Sequence, residues 1–369
     1  MVPKNIPEFL IDGIAWIGHL RGKFSRLSSI ERVITAFKHK EPDRVPVTPL
    51  ICSAGRQLKG IAFPEFSQDA EKAADAYCAG LEIVGGDIIV LLYDLSVEAA
   101  DFGQQMVYPQ HSTPHPDYTK PFIKDVSDYR KLTPIELKDA KRMQVHIKLC
   151  QLMVERIGLK ALVVGFVFGP LGVLNMMRGA ERFFKDCVNY PTDVMAALDT
   201  ITEVLVEYVK AQCRKGVLAL CIDTLFASYN GLPKPLWEKI EGPFVREISN
   251  TIKKEGAYVG VHNCGQGLYF DAQIRAMEPS FISFAHLPDD CATPQQLKST
   301  YGDQVVLVGN IPTQMLHYAS PYQVMEECRR QIDVYGDGGG YVLAPGCEYP
   351  PNISLMNAIA IVKAAEKWG

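Results

Sequence analysis

Residues 256–265 read Gly-Ala-Tyr-Val-Gly-Val-His-Asn-Cys-Gly. A short apolar run between glycines is a buried strand, and this one ends in two residues of metal-ligand type, His262 and Cys264. Successive side chains of an extended strand alternate faces, so the one residue between them puts both on the same side. A neutral imidazole and a thiolate side by side suit zinc. A further cysteine closes a similar run downstream, Leu343-Ala344-Pro345-Gly346-Cys347. His262, Cys264 and Cys347 make a three-ligand set with a fourth position left for substrate, as in catalytic zinc sites; structural sites are closed by four ligands. The competing reading is a hydrogen-bonded histidine and two ordinary buried cysteines among the ten in the chain. Where these residues fall in the whole chain weighs between the two.

Outward from this stretch, an apolar run followed by a helical pattern recurs along the sequence. Strands are expected at 45–51, 87–92, 161–166, 217–223, 257–261, 281–284, 305–309 and 340–344. Helical patterns fall between them and after the last, at 352–368. Eight short, nearly continuously apolar strands, each followed by helical sequence, give an α/β fold, a closed (β/α)8 TIM barrel. The rival is an open doubly wound sheet, but no Gly-x-Gly-x-x-Gly turn follows the first strand to support dinucleotide binding. Residues 28–369 are expected to form this single barrel. Residues 1–27 are an N-terminal helical extension, with a helix around 7–20 that packs on the barrel or on a second subunit, which makes a homo-oligomer one reading. An irregular insertion, 96–134, follows the second strand.

The barrel tests the ligand set, because active sites of such barrels lie at the C-terminal strand ends. His262 and Cys264 end the fifth strand and Cys347 the eighth. Other polar residues share that level: Arg56 past the first strand, Tyr93 and Asp94 after the second, Asp223 after the fourth, His286 and Asp289 after the sixth, and Asn310 after the seventh. Asp94 reads equally as a cap for the turn that follows it. Phe168, Met176 and Tyr229 give the strand-end loops an aromatic, Met-containing lining, although aromatic residues at such mouths also serve as packing.

Composition narrows the function classes. The 369 residues are 47% hydrophobic and 22% charged, as in a globular protein. A net charge of -4, with no basic run interleaved with aromatics, gives no reason to expect nucleic acid. Apolar stretches stop short of the roughly 18 residues a membrane span needs, and the N-terminus lacks a signal-peptide plan. Scattered cysteines suit reduced thiols in the cytoplasm better than a disulfide framework.

Several landmarks carry a family resemblance: Glu31-Arg32-Val33, Pro42-Asp43-Arg44-Val45-Pro46, Gly169-Pro170-Leu171-Gly172, the 223–228 segment, His262-Asn263-Cys264-Gly265, Gly309-Asn310-Ile311 and Ala344-Pro345-Gly346-Cys347. On these the sequence resembles the uroporphyrinogen decarboxylase superfamily of barrels from about residue 30 to the end. Within it, the His-x-Cys…Cys pattern resembles the zinc-dependent, corrinoid-linked methyltransferase branch. The decarboxylases work without metal and hold porphyrinogen carboxylates with a basic N-terminal cluster. Here only Arg56, with Lys59 nearby, stands in that region.

The branch resemblance implies zinc at His262, Cys264 and Cys347, and a methyl group moved between a small molecule and the cobalt of a corrinoid. The chain has no Asp-x-His-x-x-Gly corrinoid-binding segment, so the cobalamin is expected on a separate protein docking at the barrel mouth. Asp223 is then a further ligand or a carboxylate bonded to one, or else a turn residue. Where the branch often continues Gly-Cys-Gly, this chain has Cys347-Glu348-Tyr349. Glu348 is a proton acceptor, a metal ligand, or solvated. Arg56, Tyr93, Asp94, Phe168, Met176, Tyr229, His286 and Asn310 are the expected substrate-facing residues. The aromatic mouth points to O-demethylation of a methoxylated aromatic, and methyl transfer to a coenzyme M-like thiol is the alternative. Two further readings are a metal-free decarboxylase using Arg56, Asp94 and Tyr229, and a non-catalytic barrel that binds a corrinoid protein or a tetrapyrrole.

Overall fold

The computed structural model describes residues 7–369; the start of the expected N-terminal extension, 1–6, lies outside the described residues. Seven parallel strands form one curled sheet: β1 (Ile88–Val90), β2 (Leu162–Phe168), β3 (Ala219–Asp223), β4 (Tyr258–Asn263), β5 (Phe281–Phe284), β6 (Val306–Ile311) and β7 (Tyr341–Pro345), hydrogen-bonded in that order. Helices run between successive strands on the outside, so this is the α/β barrel plan.

The eighth position is filled by segment 45–51, which forms a bridge rather than a regular strand. Val47 pairs in parallel with Leu343, through Thr48 N–H to the Leu343 carbonyl at 3.0 Å and Leu343 N–H to the Pro46 carbonyl at 2.9 Å. On its other side the Val47 carbonyl accepts the Asp87 N–H at 2.7 Å, just before β1. Pro46 and Pro49 have no N–H to give, which explains why the ladder stops after one rung on each side.

Charge supports this thin seam. The buried Asp87 carboxylate accepts from Arg32 Nη1 at 2.7 Å, Arg44 Nη1 at 2.8 Å, the Ser29 hydroxyl at 2.8 Å and the Val47 N–H at 3.0 Å. Arg32 also forks onto Asp43 at 2.7 and 2.8 Å. The Glu31-Arg32-Val33 and Pro42-Asp43-Arg44 landmarks are therefore the parts that lock the first strand to the second.

Strand alternation divides the apolar residues into two cores. Val164, Phe166, Cys221, Val308 and Ala344 point into the barrel. Val163, Val167, Ile222, Val261 and Leu307 face the surrounding helices. Two N-terminal helices lie beneath the barrel: α1 (Glu8–Gly22) and α2 (Ser29–Phe37). Ser28 and Glu31 form a capping box that starts α2. From α2, Val33 and Phe37 close the floor of the interior core. Gly18 lets α1 lie against α2, since a Cβ there would sit 2.2 Å from Thr35 Oγ1. The outer side of α1 leaves Phe9, Trp16, Ile17 and Leu20 exposed.

The insertion after β1 is less irregular than its composition suggests. It holds a short helix, Val97–Asp101, a two-stranded ribbon of Met106–Val107 with His115–Pro116, and a 3-10 turn, Val126–Lys131. Asp94 anchors its start by accepting from Arg142 Nη2 at 2.6 Å and from the Ser96 N–H at 2.8 Å. Among the described residues no helix is long and apolar enough to cross a membrane.

Candidate metal centre

His262 is the fifth residue of β4 and Cys264 follows the strand end, while Cys347 follows β7. Their ligand atoms lie within 4.8 Å of one another, at the C-terminal mouth of the barrel. Zinc bonds of 2.0–2.3 Å in a tetrahedron put donor atoms about 3.6 Å apart, so these three side chains are gathered at metal-binding range. A donor set of one imidazole nitrogen and two soft sulfurs suits zinc. Both cysteines remain partly exposed while His262 is buried, so the centre is reached from the mouth and held from below.

Local sequence explains the convergence. Asn263, between the two β4 ligands, faces away from them: its Nδ2 donates to the Thr224 and Ala227 carbonyls at 2.8 and 3.1 Å, and its Oδ1 accepts the Gly265 N–H at 2.9 Å. That pins the turn on which Cys264 sits. The glycine beside each cysteine allows close approach: a Cβ at Gly265 would meet Ser228 Oγ at 2.3 Å, and one at Gly346 would meet Ala285 Cα at 2.6 Å. His262 Nδ1 lies 3.0 Å from Ser283 Oγ on β5, which leaves Nε2 for the metal.

The electrostatics single out Cys347 as the thiolate of the pair. The Cys264 thiol donating to Cys347, with the His262 imidazole beside them, holds the Cys347 thiol down at about 4. That same bond, together with burial, pushes Cys264 upward. Burial would lower His262, but the bond to Cys347, its negative charge and Asp223 outweigh it and bring the imidazole up to about 9.

Asp223 ends β3 directly opposite His262 in the ladder. Its carboxyl is buried, with Oδ1 lacking any hydrogen-bond partner, and burial raises it to about 6. An unpartnered buried oxygen next to three ligands is the kind of group a metal or substrate satisfies. Glu348 is half-buried rather than free in solvent. It turns into the barrel beside His262, where its Oε1 accepts the Ser53 N–H at 3.1 Å and the Ser53 hydroxyl. Burial raises it to about 7.

The remaining expected residues scatter. Arg56 gives Nη2 to Asn352 and Nη1 to the Ile61 carbonyl at 3.3 Å, and lies over the Phe63 ring at 3.9 Å. Tyr93 is buried against Phe66 and His146 in the layer between sheet and helices. Asp94 is committed to Arg142 and Ser96. Phe168 lies over Gly172, and Met176 is half-buried on the outer core. Tyr229 is exposed on the rim against Tyr269. His286 and Asn310 line a different cleft, shared with Gln331 and Tyr335 outside the sheet. Ser283 and Ser53 escaped sequence reading. Ser283 carried one signal, a polar residue in the middle of Phe281-Ile-Ser-Phe284; Ser53 carried none.

A family model described as uroporphyrinogen decarboxylase (URO-D) matches residues 28–368. The chain belongs to the uroporphyrinogen decarboxylase family. Within the URO-D family it is similar to proteins of two names. Methylcobamide:CoM methyltransferase MtbA of Methanosarcina acetivorans is 23% identical over 342 residues, covering 92% of this chain and 97% of that one. Uroporphyrinogen decarboxylase of Helicobacter pylori strain Shi470 is 23% identical over 335 residues, covering 86% and 94%. Among solved structures, a methyltransferase from Methanosarcina mazei superposes with a TM-score of 0.79 at 21% identity, covering 93% of this chain and 99% of that one. The likeness extends the URO-D barrel over nearly the whole chain.

Proposed function

We propose that this protein is a corrinoid-dependent methyltransferase that moves a methyl group from the cobalt of a corrinoid, carried on a separate protein, to a small thiol. The observation that carries the reading is the gathering of His262, Cys264 and Cys347 at the barrel mouth, in a chain similar over 91–92% of its length to methylcobamide:CoM methyltransferases. His262, Cys264 and Cys347 would hold zinc, which when bound keeps an acceptor thiol deprotonated at neutral pH. Asp223, opposite His262 in the ladder and with Oδ1 unpartnered, would be a further ligand or bond to the acceptor. Glu348, held by Ser53, stands ready to receive the thiol proton. In the transfer a sulfur–carbon bond forms as the cobalt–carbon bond breaks, and the electron pair of that bond stays on cobalt as Co(I). The reading carries a reducing, cytoplasmic location with it, in line with ten cysteines of which none forms a disulfide among the described residues.

O-demethylation of a methoxylated aromatic has less support, because Tyr93 and Phe168 are used in packing and do not line the triad. A metal-free decarboxylase would need Arg56 and Asp94 free for substrate, and both are bonded within the chain. The first experiment is metal content of the purified protein beside Cys264→Ala, together with methyl transfer from methylcobalamin to thiols followed by the change in cobalt absorbance. About one zinc per chain, lost with its methyl transfer in the variant, is the expected result. Wild type that takes up no zinc when supplied with it sinks the reading.

A further inference from the structure

The interior of a (β/α)8 barrel is normally a filled core. Here a cavity of about 40 Å³ remains inside it, immediately below the ligand triad. Its roof is formed by His262, Ser283 and Glu348. Its walls are apolar, among them Leu50, Leu92, Val164, Phe166 and Val308, and no lysine or arginine lines it. Phe37 of α2 is its floor, packed on Phe281 with ring centroids 5.6 Å apart. The same Phe37 borders a separate groove beneath the barrel, so one side chain divides the two spaces.

From this we infer that the acceptor is a thiol with a short, uncharged alkyl tail, which sits in the interior cavity while its sulfur meets the metal centre. The inference rests on the methyltransferase reading and adds the substrate class to it. An apolar cavity of this kind stays dry and takes apolar guests, and its size matches roughly three water-sized groups. A sulfonate or carboxylate tail would meet no compensating cation there. It would also face the Glu348 carboxyl group. Neither Arg56 nor Arg142 lines the cavity, and Arg142 is already paired with Asp94. Phe37 then sets the chain length that the protein accepts.

The test measures binding of methanethiol, ethanethiol, propanethiol, hexanethiol and 2-mercaptoethanesulfonate to the zinc-loaded protein by calorimetry, with methyl transfer assayed in parallel. Affinity is expected to rise about fourfold per methylene up to propanethiol, to fall at hexanethiol, and to be at least about tenfold weaker for the sulfonated thiol. Val308→Phe should weaken propanethiol about tenfold while keeping methanethiol binding and zinc content. Phe37→Leu should move the preferred chain to a longer one. Equal or tighter binding of the sulfonated thiol, no dependence on chain length, or no effect of Val308→Phe overturns the inference while leaving the methyltransferase reading in place. A protein that binds no zinc, or methylates no thiol, overturns both.

Discussion

Ser283 shows how much of the centre depends on residues that bind nothing themselves. Its hydroxyl holds His262 Nδ1 from the neighbouring strand, and such partners orient the imidazole and raise its basicity. Ser283→Ala is expected to weaken zinc binding about 10–100-fold without unfolding the barrel; competition against a chromophoric chelator measures this, and unchanged affinity would mean that the contact is incidental. The pairing of the candidate ligands His262 and Cys264 was legible because alternation along a strand is a local rule that puts both on one face. Ser283 and Ser53 were not, because each acts on a residue distant in sequence, across a strand pair or across the barrel closure. Tyr93 and Phe168 show the opposite failure. Both stand near strand ends, yet their rings are taken up by Phe66 and Gly172, and chain position alone cannot tell a ring that lines a mouth from one that fills a layer.

Among the elements, the first strand departs furthest from expectation. Its apolar run has the right length and place, but prolines at 46 and 49 remove two donors, and pairing comes down to Val47 and its immediate neighbours. Asp87 supplies what the ladder lacks. Asp87→Ala would leave the buried Arg32 short of one partner and free the Val47 N–H. The expected cost is about 3–5 kcal/mol, read as a lower urea midpoint; a loss below about 1 kcal/mol would show that the seam stands without the charge network. The ends of β2 rest on buried acids as well. Glu98 accepts the Phe168 N–H at 3.0 Å and Glu241 accepts the Leu171 N–H at 3.0 Å, and burial raises them to about 8 and about 7. From the ordinary value of 4.5 up to about 8 the folded protein keeps a proton on Glu98 that the unfolded chain has released. Stability should therefore fall as pH rises through that window and level off above it. Denaturation across it should show Glu98→Gln with a flatter profile than wild type; parallel profiles would refute the assignment.

For the whole molecule, eight repeats of apolar run and helix were enough to read the barrel, because the α/β alternation is written into periodicity. What lay beyond periodicity was the division of space inside it. Which side chains leave a void depends on the sizes of residues brought together from several strands and from α2, and no local pattern encodes that sum. The same α2 has a kinetic consequence. With Phe37 closing the interior from below, every reactant on the proposed pathway must come and go through one entrance. A protein-borne corrinoid docked there would seal in whatever had arrived first. Turnover would then be compulsory in its order: small acceptor in, carrier on, carrier off, methylated product out, with a carrier that lands on an empty barrel becoming a dead end.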